Sequence, residues 1–164
     1  MSEQIMITRT FKAPRELVFR VWTDPQHFQN WWGPRGFKLE VVKMDVRPGG
    51  MFLGNQSSPE GHVMWGKFVY HEVDAPSKLV FVNSFCDEEG NTIRAPFSPT
   101  WPLEIMNNLT FVDEGDGTTT LTFSGGPINA SDEELASFNA MRPMVQQGFG
   151  GTFDQLEAYL QSQL

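Results

Sequence analysis

The polar residues that could do chemistry in this chain are few and scattered. Asn107 keeps step with Leu103, Ile105, Leu109 and Phe111, so a strand here turns its amide inward among apolar neighbours. Asn83 stands in the same relation to Leu79, Phe81 and Phe85. A buried amide needs hydrogen-bond partners. Two kinds fit: backbone or a bound water, or a polar atom of a ligand, since sparse polar groups orient guests in apolar pockets. Arg94, Phe97 and Trp101 share a proline-rich stretch. An arginine beside aromatic rings can clamp an acidic or planar molecule; the alternative is a loop that packs over a sheet edge. Glu104 is the one acid/base candidate, and its parity opposite Leu103 points it to solvent.

No catalytic set emerges beyond these. His27, His62 and His71 show no metal-ligand spacing with one another or with the single cysteine. Cys86 has no nearby histidine and reads as a small apolar strand residue. Arg47-Pro48-Gly49-Gly50 has the glycines of a phosphate loop. It lacks the Lys-Ser/Thr ending and the helix a nucleotide needs, so a hairpin turn is expected. The expectation is no catalytic residue, no metal and no cofactor.

The elements that would carry these residues are legible. Strand runs are expected at Ile5 to Phe11, Phe37 to Val46, Met51 to Gln56, His62 to Val73, Leu79 to Cys86, Leu103 to Val112 and Thr118 to Phe123. Short Gly-, Pro- and Asp-bearing turns separate most of them, which implies an antiparallel meander. The exception is Asp87 to Pro102, long for a hairpin and holding Pro96, Pro99 and Pro102; loops of that kind are often lids. Pro14 opens a short helix with Leu17, Val18, Val21 and Trp22 on its apolar side. Asp24-Pro25 opens a second, which Gly33-Pro34 stops after Trp31 and Trp32. The two indoles are expected to seal one end of the core, or one of them to line a cavity mouth.

A long C-terminal helix follows. Ser131 and Glu134 form a capping box. Leu135, Phe138, Met141, Val145, Phe149, Phe153, Leu156 and Leu160 recur at spacings of three and four. Pro143 is expected to kink or divide this helix. Gly148, Gly150 and Gly151 cost helix stability, so either something packs close to them or a cavity needs the room.

The 164 residues predict one domain. A net charge of −8 disfavours nucleic acid and anionic membranes as partners. One cysteine forbids an internal disulfide. No leader or 18-residue apolar run is visible, so a cytoplasmic location is expected.

Four ordered motifs are more specific. Phe11-Lys12-Ala13-Pro14-Arg15-Glu16-Leu17-Val18-Phe19 is followed by Trp22-Thr23-Asp24-Pro25, then Trp31-Trp32-Gly33-Pro34, then Asp45-Val46-Arg47-Pro48-Gly49-Gly50. The series resembles bacterial members of the family named for the activator of heat-shock protein 90 ATPase homologue. That family lies within the START-like, birch-pollen-allergen-like SRPBCC superfamily. The resemblance covers nearly the whole chain, including Gly66 to Phe81 and Gly148 to Leu160. It implies an α+β helix-grip fold: a curved antiparallel sheet of about seven strands around a long C-terminal helix, with two short helices after the first strand. The family name comes from a co-chaperone with a separate chaperone-binding domain, and this chain opens directly on its first strand. No catalytic motif belongs to the family pattern.

Three readings follow. The first is a binding module for a small hydrophobic ligand, lipid-like, polyketide-like or aromatic. Its walls would be Phe81, Asn83, Asn107 and Leu109 on the sheet, Met141, Met144, Val145, Phe149 and Phe153 on the helix, and Trp32. Arg94, Phe97 and Trp101 would form a lid. The second is an enzyme working on a hydrophobic substrate in the same cavity. The third is a chaperone-associated interaction domain, with the Phe97–Trp101 loop also able to pair two copies as a homodimer.

Overall fold

The computed structural model of the chain describes residues 4–164. It begins with β1 (Ile5–Phe11), α1 (Arg15–Thr23) and α2 (Pro25–Phe28). Six strands follow: β2 (Lys38–Met44), β3 (Met51–Ser57), β4 (Val63–Asp74), β5 (Lys78–Cys86), β6 (Ile105–Asp113) and β7 (Thr119–Pro127). The chain closes on α3 (Asp132–Ser162). The strands form one antiparallel sheet in the order β1-β7-β6-β5-β4-β3-β2. Thus α1 and α2 carry the chain from one sheet edge to the other. This is the helix-grip arrangement, with α3 held against the sheet's inner face.

Local chemistry explains the helix starts. The Asp24 carboxylate accepts from the Gln26 backbone N–H at 2.9 Å, and Pro25 occupies the first turn of α2. Both halves of the capping box at α3 are made: Glu134 N–H donates to Ser131 Oγ, and Ser131 N–H donates to Glu134 Oε1. Three acidic residues in the first turn suit the positive end of the helix.

Two expectations need correction. Pro143 does not divide α3, which runs unbroken for 31 residues. Phe138 and Met141 before the proline, and Val145 and Phe149 after it, pack on the core and hold the helix across the missing bond. The last strand also continues past Phe123 to Pro127, through Gly125 and Gly126. Elsewhere strand ends shift by a residue or two. Arg47–Gly50 forms a turn, closed by Gly50 N–H donating to Arg47 O at 2.7 Å.

The core is aromatic and fills only part of the space under α3. Trp22, Phe28, Trp31, Phe52, Phe68 and Phe153 are all buried. Rings meet edge-on or tilted, as for Trp22 with Trp31 at 4.7 Å and Trp22 with Phe153 at 6.0 Å. Trp31 Nε1–H donates to Val21 O at 3.0 Å, so this indole is a satisfied core residue. Thr119 Oγ1–H donates to Ala13 O, tying the start of β7 to the loop before α1.

Candidate functional site

The unfilled space is a cavity of about 370 Å3 between the sheet and α3, within the usual size range of small-molecule sites, roughly 300–1,000 Å3. Five of its wall residues are glycines: Gly33, Gly54, Gly66, Gly125 and Gly148. Gly54 and Gly66 face each other across β3 and β4, two residues along from the inward pair Phe52 and Phe68. Gly125 pairs with Asn107 across β6 and β7. The sheet's inner face therefore lacks side chains where the cavity lies. Flat walls come from Trp32, Phe68, Phe123 and Phe149, with Phe123 and Phe149 at 4.8 Å and Trp32 and Phe149 at 6.0 Å. Pro34, Phe97 and Gly148 line it while being exposed, and so mark its mouth.

Gly33 is required by this geometry. Its φ is +112°, and a Cβ there would come within 2.6 Å of Gln56 Nε2. Its carbonyl accepts from Thr152 Oγ1 at 3.2 Å and from Gln155 Nε2 at 2.7 Å. The Trp-Gly-Pro turn is thereby fastened to α3, which places Trp32 on the wall.

The polar residues of the wall are the amides Gln56, Asn83 and Asn107, the hydroxyls Ser84 and Thr152, and Lys67. Asn107 Nδ2 donates to Asn83 Oδ1 at 2.9 Å and to Ile105 O at 3.2 Å. No Asp, Glu, His or Cys lines the cavity among the described residues. Lys67 is the single charged lining residue, and its ammonium donates to Gly90 O at 2.8 Å. Lys67 alternates with the inward-facing Phe68 and lies on the other side of the strand.

Several expected wall residues lie elsewhere. Phe81 is buried and stacked on Phe68 with centroids 4.0 Å apart, closing that part of the core. Leu109 and Phe153 are fully buried in the same closed region. Met141 packs on the core outside the wall, and Met144, just past Pro143, is 68% exposed on the solvent face of α3. Asn83, Asn107, Trp32, Val145 and Phe149 do line the cavity. So do Phe97 and Trp101 from the proline-rich loop.

Arg94 does not join Phe97 and Trp101 there. Its guanidinium donates to Glu134 Oε2 at 2.5 Å and to Trp101 O at 3.1 Å. It is a strap between the loop and the first turn of α3. Thr100 and Ser137 hydroxyls, 2.6 Å apart, add a second tie. Trp101 is buried against Phe138 at 5.5 Å, which leaves Phe97 as the loop's exposed ring.

The other chemical candidates are structural. Burial pushes the Cys86 thiol above its ordinary value, an effect opposed in part by the Lys67 charge. His27 Nδ1 and Tyr159 OH are 2.7 Å apart, joining α2 to α3. Glu104 accepts from Asn129 Nδ2 at 3.2 Å, outside the cavity. No group of three or more metal-ligating side chains exists among the described residues. No helix among them is long and apolar enough to cross a membrane.

The missed wall residues include the rings of Phe52, Phe68 and Phe123, Gln56 and the glycines of the sheet. The glycines' signal was present: Gly54, Gly66 and Gly125 occupy inward positions of strands, where a missing side chain marks close approach or empty space.

A seven-stranded antiparallel sheet gripping one long helix over an apolar pocket defines a protein of the START-like, helix-grip class, a fold known for ligand binding. The chain belongs to the family described as Activator of Hsp90 ATPase homolog 1-like protein, whose model matches residues 12–161. A crystal structure of a Mycobacterium smegmatis protein is 30% identical, with a TM-score of 0.76, over 94% of this chain and 88% of that one. A solution structure from Staphylococcus epidermidis is 25% identical, with a TM-score of 0.79, over 100% and 93% of the two chains. A family member from Silicibacter pomeroyi shares the fold at 16% identity, with a TM-score of 0.74, over 99% and 100%. No curated protein matches the sequence.

Proposed function

We propose that this protein binds a small, uncharged, largely apolar molecule in the cavity between the sheet and α3. One observation carries the reading: a cavity of about 370 Å3 has aromatic walls, neutral amides and hydroxyls as its inward polar groups, and no Asp, Glu or His among its described lining residues. Burying a charge there would cost several kcal/mol without an opposite charge to meet it. The same observation favours binding over general acid/base catalysis, which needs a titratable group within reach of the substrate. The loop from Arg94 to Trp101, strapped to α3, serves as the cover of the mouth. A chaperone or a second copy of the chain would instead engage exposed apolar surface, which this loop and its flanks offer only as Ile93, Phe97 and Leu103.

The test is a thermal-melt screen with neutral, anionic and cationic aromatics of similar size. A ligand at a hundred times its Kd adds about 2.7 kcal/mol, or roughly 5–11 °C in a domain of this size. Neutral compounds should give that shift and charged ones little. A screen in which no neutral compound raises Tm, with nothing retained in a native mass spectrum, sinks the proposal.

A further inference from the structure

The Asn83–Asn107 pair has a free edge, and its pattern specifies more than an apolar guest. Asn107 is 3% exposed, and both N–H bonds of its amide are used, one on Asn83 Oδ1 and one on Ile105 O. Because a carbonyl can only accept, Ile105 fixes which end of the Asn107 amide is nitrogen. That leaves Asn107 Oδ1 as an acceptor and Asn83 Nδ2 as a donor, each without a protein hydrogen bond among the described residues and neither sealed from solvent. The two groups flank one 2.9 Å hydrogen bond, and both residues line the cavity. The Asn107 acceptor is free to take a hydrogen bond from what enters the cavity. The strand opposite has given up a side chain to keep it there: a Cβ on Gly125 would lie 2.6 Å from Asn107 Oδ1.

We infer that the Asn83–Asn107 edge recognises a neutral carboxamide or lactam on a planar aromatic ligand. The ligand carbonyl would accept from Asn83 Nδ2 and its N–H would donate to Asn107 Oδ1. The ring system would lie against Trp32, Phe123 and Phe149. A carboxylate fits less well, since it accepts twice and would meet Asn107 Oδ1 oxygen to oxygen, with no cation turned to it. This inference rests on the cavity reading above and narrows it.

Three probes of one shape separate the possibilities: 2-naphthamide, 2-methylnaphthalene and 2-naphthoate, each titrated by quenching of tryptophan fluorescence. The quantity of interest is the preference for the amide over the hydrocarbon. Each hydrogen bond lost from a buried amide is worth on the order of tenfold in affinity. Between wild type and Asn83→Leu/Asn107→Leu, the preference should fall by about tenfold or more. Gly125→Ala, which must turn the Asn107 amide, should lower it in the same direction, and it decides alone if the double variant does not fold. Wild type should bind the naphthoate about tenfold more weakly than the amide. An unchanged preference in the variants, or a naphthoate bound as tightly as the amide, overturns the inference while the cavity reading stands. Failure of wild type to bind either neutral probe overturns both.

Discussion

Replacing Gly148 with leucine should stabilise the protein and impair binding together. Gly148 lies inside α3, at the cavity mouth. An added Cβ there meets nothing within 4 Å, so no clash offsets the change. Glycine is about 0.8–1.0 kcal/mol worse than alanine in a helix interior, and leucine is close to alanine. The gain is therefore about 0.8 kcal/mol, or roughly 2–3 °C in Tm for a domain of this length. Any apolar contact of the leucine with Phe97 or Phe149 across the mouth would add to it. The same side chain takes up space the ligand must pass, so affinity for a neutral fluorophore such as N-phenyl-1-naphthylamine should fall about tenfold or more. Gly151→Ala is the control. It lies on the same helix with nothing within 4 Å of its added Cβ, and it is off the cavity wall. It should gain about 1 kcal/mol and bind the dye normally. Two measurements check this: a thermal melt, and a dye titration of each variant. A Gly148→Leu protein that melts lower than wild type, or binds the dye equally well, refutes the reasoning about where the mouth lies.

Two further outcomes test the core and the loop. Tyr70 is buried with its hydroxyl unpartnered among the described residues, and burial holds its phenol well above the ordinary value. Tyr70→Phe should thus raise stability by about 1 kcal/mol in urea unfolding. Because the folded value is raised, the Tyr70 phenol should ionise only as the fold is lost above the ordinary phenol range. Destabilisation by Tyr70→Phe would show that the hydroxyl has a partner. The Glu134 carboxyl is held below its ordinary value, first by the Ser131 backbone N–H and then by Arg94. With a lowered folded value, its contribution is complete above the ordinary carboxyl range and fades as pH falls through the lowered one. Hydrogen exchange in residues 94–101 should therefore be slow near neutrality and quicken, relative to the rest of the sheet, in acid. Glu134→Gln should make it fast at neutral pH. Equal protection of that loop in variant and wild type would mean the strap does not hold it.

The strands and helix ends were readable in the sequence because local rules set them. Alternation marked β5 and β6, Asp24-Pro25 and Ser131 marked helix starts, and turn residues divided the meander. Pro143 misled because the rule for proline in a helix is local, while Phe138 and Phe149 on either side hold α3 through tertiary packing. The candidate wall was only half legible for a related reason. Periodicity tells which side chains face inward, and it found Asn83, Asn107, Val145 and Phe149. It does not tell which inward residues meet one another and which meet space. Phe81 and Phe153 face inward as surely as Phe123, yet the ring of Phe68 closes over one, and Phe11, Trp22 and Phe123 surround the other.

What decides between closed core and open cavity is the distribution of missing side chains. At one end of the grip, large residues oppose large ones: Trp22, Phe28, Trp31 and Phe153 interlock. At the other, Gly54 opposes Gly66, Gly125 opposes Asn107, and Gly148 comes from the helix above. A close-packed interior tolerates few voids larger than a water molecule, so a cavity of about 370 Å3 leaves its walls without side-chain neighbours of their own. The packed end supplies the stability that lets the open end stay empty of its own side chains. Filling any of the inward glycines should then act in one of two ways. Where the Cβ has room, as at Gly148, stability rises and the cavity narrows. Where it meets a neighbour, as at Gly54 against the Glu40 carbonyl at 2.6 Å or at Gly125 against Asn107, the wall itself must move. The cavity is thus written into the chain as a set of absences, and the amide pair beside it is the main polar feature those absences expose.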